Sequence, residues 1–186
     1  MGRLAEIGDV ATVTDVRPAR ADELDAIAGL FAPGLARYRG RGADWILDAY
    51  LAELLDVRSR FGVAETYVAV VDGRILGSIA FYRDVVLEGW SNLPAGWAGF
   101  RALVVHPDAR GSGTGRQLVE HCLLRARAVG APALGIHTIA LLEDAVRLYE
   151  RVGFVRCPEF DMPAADVFPS DDADDGLAGL AFRHDL

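Results

Sequence analysis

Apolar and polar positions follow two rhythms along the chain, and each change of rhythm marks an element. Thr12-Val13-Thr14-Asp15-Val16-Arg17 alternates with period two and is rich in β-branched residues, which predicts a strand that Pro18 stops. Asp22 and Glu23 then open an amphipathic helix with Leu24, Ile27, Ala28 and Phe31 on one face, interrupted at Pro33-Gly34. Arg37 to Gly42 reads as a basic turn, and a second helix is expected from Asp44 to about Arg58, with Trp45, Leu47, Leu51, Leu54 and Leu55 apolar. Thr66 to Val71 and Arg74 to Val86 are predicted as paired strands, because Asp72-Gly73 between them supplies a tight hairpin turn. A Gly- and Trp-containing connection, Gly89 to Gly99, leads to Phe100–Val105, an apolar strand of central type that His106-Pro107-Asp108 ends.

The second half repeats the alternation of helix and strand. Thr114 to Val129 is a helix with Leu118, Val119, Cys122, Leu123 and Ala126 on one face and Gly130 as its cap. A strand from Ala133 to Ile139 follows. Ala145, Leu148, Tyr149 and Val152 then recur at helical spacing over Glu143 to Arg151, with Gly153 as cap. Phe154-Val155-Arg156 begins another strand, Ser170 to Gly176 is an acidic turn, and Leu177 to Arg183 is the last strand. The order predicts a mixed sheet with helices on its faces.

The length of 186 residues suits one domain, assigned to residues 12–186 behind an N-terminal tail of residues 1–11. Apolar residues make up 52% and charged residues 25%, which excludes disorder as the default. A net charge of −8 argues against a nucleic-acid partner. All basic residues are arginine, so no lysine nucleophile, Schiff base or Walker lysine exists. Cys122 and Cys157 read as buried reduced thiols. The start lacks a signal peptide, and the longest apolar run, Ala26 to Ala36, is too short to span a membrane. A cytoplasmic protein without a membrane partner is expected. His and Cys lack paired spacing, so no metal is expected either.

Candidate chemistry concentrates after the strand ending at Val105. His106-Pro107-Asp108-Ala109-Arg110-Gly111-Ser112-Gly113-Thr114-Gly115-Arg116 runs from a strand through a glycine-rich turn into a helix. That arrangement aims backbone N–H groups and the positive end of a helix dipole at one point, which suits phosphate oxygens. Glycines permit close approach, and Arg110 and Arg116 can add charge-assisted contacts. A simple helix-capping turn would carry some of the same residues.

Arg110-x-x-Gly113-x-Gly115 behind an apolar strand resembles motif A of the GCN5-related N-acetyltransferases, the GNAT family. Ala145-Val146-Arg147-Leu148-Tyr149-Glu150-Arg151-Val152-Gly153-Phe154 matches the family's A-x-x-L-Y-E-x-x-G-F independently and in the right order. The resemblance covers most of the chain from Val13 to Phe154 and weakens after Cys157. It implies an α/β (α+β) GNAT-like acyl-CoA N-acyltransferase fold, with a mixed, mostly antiparallel central sheet flanked by helices. It also implies an acetyl-CoA-dependent N-acetyltransferase. Gly111, Ser112, Gly113, Thr114, Gly115 and Arg116 would cradle the pyrophosphate of acetyl-CoA, with Arg110 beside them. The backbone of Leu103, Val104 and Val105 would pair with the pantetheine arm, in a groove opened towards the strand near Thr138. Many relatives carry Asn where this chain has Leu142, so one polar contact near the cofactor is missing.

The resemblance places Tyr149 beside the CoA sulfur. A phenol with an ordinary pKa near 10 is protonated at neutral pH and can supply the leaving thiolate with a proton. Tyr149 would otherwise be a core aromatic. The base that deprotonates a small-molecule or peptide amine acceptor is open: Glu88, Asp84 and His137 are the titratable candidates, and ordered water is another route. Trp90 and Trp97 could line an acceptor pocket or cover the core edge. Arg37 to Arg41 could meet a phosphate or be a solvated turn, and His106 reads as structural. Two readings from other classes stay open, a non-catalytic CoA-binding regulator and a protein-interaction module. The last strands could pair across a homodimer.

Overall fold

A computed structural model of the chain describes residues 15–41, 44–167 and 178–186. The tail of residues 1–11, the start of the first predicted strand at Thr12–Thr14, Gly42 of the basic turn, the acidic turn at Ser170–Gly176 and Leu177 lie outside the described residues.

One eight-stranded sheet carries the fold. Its strands are β1 (Asp15–Pro18), β2 (Glu65–Val71), β3 (Arg74–Tyr82), β4 (Ala98–Val105), β5 (Ala133–Ile139), β6 (Val155–Arg156), β7 (Met162–Pro163) and β8 (Ala178–Asp185). They lie in the order β1-β2-β3-β4-β5-β8-β6, with β7 also on β8. Every pairing is antiparallel except β4 with β5. The mixed, mostly antiparallel sheet expected from the sequence is therefore present. The helices are α1 (Leu24–Leu35), α2 (Asp44–Leu55), α3 (Val57–Phe61), α4 (Thr114–Ala128), α5 (Glu143–Val152) and α6 (Ala164–Val167).

Side-chain alternation divides the core between two faces. On one face Phe81, Phe100, Leu134, Ile136 and Phe182 meet Leu118, Val119, Cys122 and Tyr149. On the other, Val68, Ala80, Tyr82, Ala102 and Val104 meet Leu24, Ile27, Leu30, Phe31 and Leu54. Both cysteines are buried and free.

Three expectations about elements need correction. α1 runs through Pro33 to Leu35 and on into a 3-10 turn at Ala36–Tyr38. Pro33 forfeits one backbone rung near the helix end, but Ile27, Leu30 and Phe31 stay buried and hold the helix in place. The second helix breaks at Asp56, whose side chain accepts from Ser59 N and starts the separate α3. Leu55 is consequently 49% exposed. Finally, the strand does not continue to Val86: Val85–Glu88 form a 3-10 turn. Asp84 is the cause, because its carboxylate accepts from both Val86 N and Gly96 N at 3.1 Å. That turn swings Glu88 back over the sheet.

Glu23 ties β1 to α1. Its buried carboxylate accepts from Arg17 Nη2 at 2.6 Å, Arg17 Nη1 at 2.9 Å and Arg20 N at 2.8 Å. The Arg17 hydrogen bonds hold its pKa at about 2, below the ordinary 4.5. A depressed carboxylate adds stability above its unfolded pKa and loses it as pH falls through the folded value. Glu23→Gln should therefore cost about 2 kcal/mol at pH 7 and almost nothing near pH 2, read from urea unfolding at both pH values.

Candidate active site

The site is built where β4 and β5 part. They pair only at Ala98↔Leu134 and Gly99↔Gly135. Beyond Gly99, β4 has no strand partner on its β5 side. On its β3 side the register slips between Ala80↔Arg101 and Ser78↔Val104, so two residues, Ala102 and Leu103, oppose Ile79. Ala102 takes φ +53, a left-handed conformation rare outside glycine. Such a bulge bends its strand, and here the bend lies at the parting of the strands.

A groove of about 500 Å³ opens along the freed edge. Leu103, Val104 and Val105 form one wall, and Arg110, Gly111, Gly113, Thr114, Gly115 and Arg116 form its end. Gly113 takes φ +86 immediately before α4, and Gly111 takes φ +78. An added β-carbon at either would meet nothing within 4 Å, so the glycines leave open space above the loop. The first-turn N–H groups of α4 lack intrahelical acceptors, as at any helix start. Ser112 is placed differently from its neighbours. Its hydroxyl donates to Ala109 O and lies 2.8 Å from Thr114 Oγ1, so it braces the loop from within. His106 caps the turn by accepting from Asp108 N at 3.2 Å, the structural place read for it.

Arg110 donates to Gly34 O at 2.7 Å, which joins the loop to the end of α1. Arg37 and Tyr38 also line the groove, so two residues of the basic turn face this site. Arg37 pairs with Asp144 at the start of α5, and Tyr38 donates to the same carboxylate at 3.2 Å. Arg151 completes the basic residues of the groove. The groove thus has a cationic, glycine-lined end and an apolar flank of Leu103, Leu142, Leu148 and Val152. A long molecule with an anionic end and an apolar arm fits those surfaces.

A second cavity of about 70 Å³ lies deeper in the gap. Tyr50, Leu103, Leu142 and Ala145 line both spaces. Tyr149 lines the inner one, with its ring against Phe100, Phe154 and Phe182 at centroid distances of 5.7, 5.8 and 6.1 Å. Among the described residues its hydroxyl has no hydrogen-bond partner. Burial pushes its pKa above the ordinary tyrosine value and keeps it protonated. The sequence motif around it has a plain structural basis. Ala145 and Leu148 face the cavities, Gly153 ends α5 at φ +104, and Phe154 N donates to Tyr149 O at 3.0 Å.

His137, Thr138, Trp90 and Arg101 also line the inner cavity. Thr138, towards which the resemblance opened the cofactor groove, faces this space and not the glycine-loop groove. Trp90 lies against His137, with centroids 5.3 Å apart, and carries the Arg101 guanidinium 4.5 Å over its ring. Trp97 packs on Phe160 instead, so of the two tryptophans only Trp90 reaches the cavity.

Glu88 does not line either space. Its side chain is 2% exposed, 4.0 Å from Arg101, and Oε1 lacks a partner among the described residues. Burial raises its pKa to about 8 from 4.5. A carboxyl raised in this way costs the fold stability as pH climbs from the unfolded value to the folded one. Glu88→Gln should remove that loss, giving a variant more stable than the parent at pH 8.5 and little changed at pH 4.5, read by thermal melts.

Sequence reasoning missed Tyr50, which lines both spaces from α2. It stands among the apolar residues of its helix, and its polar tip was the available signal. Met162 and Val167 of the inner cavity come from a segment that carried no pattern.

A family model described as acetyltransferase (GNAT) domain matches residues 62–156. No curated protein matches the sequence. Among solved structures, YjaB from Escherichia coli in its apo form is 26% identical. The alignment covers 92% of this chain and 97% of that one, with a TM-score of 0.60. A GNAT-family acetyltransferase from Staphylococcus aureus Mu50 is 12% identical, with coverage of 94% and 99% and a TM-score of 0.63. For yncA from Salmonella typhimurium, solved with its cofactor acetyl-CoA, the identity is 19%, both coverages are 94%, and the TM-score is 0.62.

Proposed function

The chain belongs to the GNAT acetyltransferase family, and from that premise we propose that it moves an acetyl group from acetyl-CoA to a primary amine by direct attack in a ternary complex. The observation that carries this reading is the adjacency of the two spaces. The groove with the glycine loop and the cavity that Tyr149 lines share Tyr50, Leu103, Leu142 and Ala145 as common walls.

The loop amides of Gly111 to Gly115 and the guanidinium groups of Arg110, Arg116 and Arg151 suit the phosphates. The free edge of β4 at Leu103 to Val105 offers backbone groups to the amides of the pantetheine arm, as an added strand would. The thioester then lies at the junction, with the acceptor arriving from the inner cavity. Holding amine and thioester together contributes much of the rate. The amine forms a C–N bond as the C–S bond breaks, and Tyr149 gives its phenolic proton to the departing sulfur. The proton shed by the acceptor leaves at this end of the site, where His137 lines the cavity and Glu88 does not.

Calorimetry with acetyl-CoA, followed by thiol release in the presence of small primary amines, tests the reading. Micromolar binding, about −8 kcal/mol, with amine-dependent thiol release is expected. Absence of binding at millimolar acetyl-CoA would remove the transferase reading.

A further inference from the structure

The geometry points to His137 as the group that takes the acceptor's proton, with the Phe160 carbonyl and the Trp90 indole as its positioning partners. This rests on the acetyltransferase reading and adds the residue it lacks.

His137 stands in β5 and lines the same 70 Å³ cavity as Tyr149. Its Nε2 lies 3.1 Å from Phe160 O. A carbonyl oxygen only accepts, so Nε2 carries the proton of the neutral ring. Nδ1 is then a bare lone pair. It is buried and has no partner among the described residues. The Trp90 indole nitrogen, on the ring packed against His137, is also buried and unpartnered, and it only donates. An unpaired acceptor and an unpaired donor thus belong to two packed side chains that both line the cavity. A neutral amine, or one water that the amine donates to, would satisfy both on parting the two rings.

Burial favours the neutral form of this ring. Burial lowers its pKa most, and Arg101 from β4 adds to that. The Phe160 bond and Asp161 act in the opposite direction. Asp161 is itself engaged by Arg156 at 2.6 and 2.8 Å. Glu88 is a poorer candidate, because its carboxyl lies behind Arg101 and outside the cavity wall.

The protons balance. The incoming ammonium gives one proton to Nδ1, which passes it to solvent. The neutral amine then attacks the thioester carbonyl. The second proton lost from nitrogen as the C–S bond breaks replaces the one that Tyr149 gives to sulfur.

The test compares two small acceptors, n-propylamine, an ammonium at pH 7, and methoxyamine, already neutral there. His137→Gln keeps an N–H for Phe160 O and lacks a titrating nitrogen, and His137→Asn is a second variant. Calorimetry with acetyl-CoA and a thermal melt confirm that each variant is folded and loaded. With n-propylamine the variants should lose about 100-fold in kcat/KM at pH 7, whereas with methoxyamine they should stay within about threefold of the parent. The acid limb of the parent's n-propylamine pH profile should also disappear. Equal losses with both amines would show a structural role and overturn the proposal. So would full activity of the variants, loss of the acid limb in Glu88→Gln instead, or a parent that binds acetyl-CoA yet turns over neither amine. A parent that fails to bind acetyl-CoA would overturn the acetyltransferase reading itself, a separate and recognisable result.

Discussion

Gly113→Glu is expected to weaken acetyl-CoA binding by at least about 100-fold, or roughly 2.7 kcal/mol. Gly113 precedes α4 at φ +86, and the space above it is open. A glutamate there places a carboxylate where the loop amides would receive phosphate oxygens, so an attractive field becomes a repulsive one. The backbone conformation alone costs an L-residue about 1 kcal/mol. Gly113→Ala carries that strain without the charge and should bind only a few-fold more weakly. Calorimetry on both variants, with melting temperatures to confirm folding, separates the two effects. Equal affinity in parent and glutamate variant would mean that the loop only caps a helix.

Tyr149→Phe should lower kcat by about 10²- to 10³-fold while leaving acetyl-CoA affinity within twofold. The ring contacts with Phe100, Phe154 and Phe182 survive the change, so the fold should hold. Only the hydroxyl in the inner cavity is lost. Because burial raises the phenol's pKa, the parent should show no alkaline loss from this group below pH about 10. Thiol release with n-propylamine across pH 6 to 10, beside calorimetry, measures both points. Undiminished kcat would remove Tyr149 as the proton donor. A parent that binds acetyl-CoA but releases no thiol would favour a non-catalytic CoA-binding protein.

The two halves of the site differed in how far the sequence could expose them. The glycine loop is one contiguous segment, and its spacing alone encodes a strand, a positive-φ turn and a helix start. The motif around Tyr149 is equally local, since cap, core aromatic and cavity-facing residues recur at helical spacing. The inner cavity has no such segment. Tyr50 comes from α2, Trp90 from the connection before β4, Arg101 from β4, His137 from β5 and Met162 from β7. Their neighbourhood depends on how the strands part and on the turn that Asp84 imposes, neither of which is periodic in the chain.

Local chemistry in the sequence by itself determined most of the order of elements, the mixed sheet, the glycine loop between strand and helix, and the helix bearing Tyr149. Period, caps and turn residues act over a few positions, so they are legible one segment at a time. Tertiary structure decided the bulge at Ala102, the parting of β4 from β5, the exclusion of Glu88 from the cavity wall and the unpaired Nδ1 of His137. Each of these follows from packing and hydrogen bonding between segments far apart in the chain, where the long-range contact sets which polar atom is satisfied and which is left unpaired.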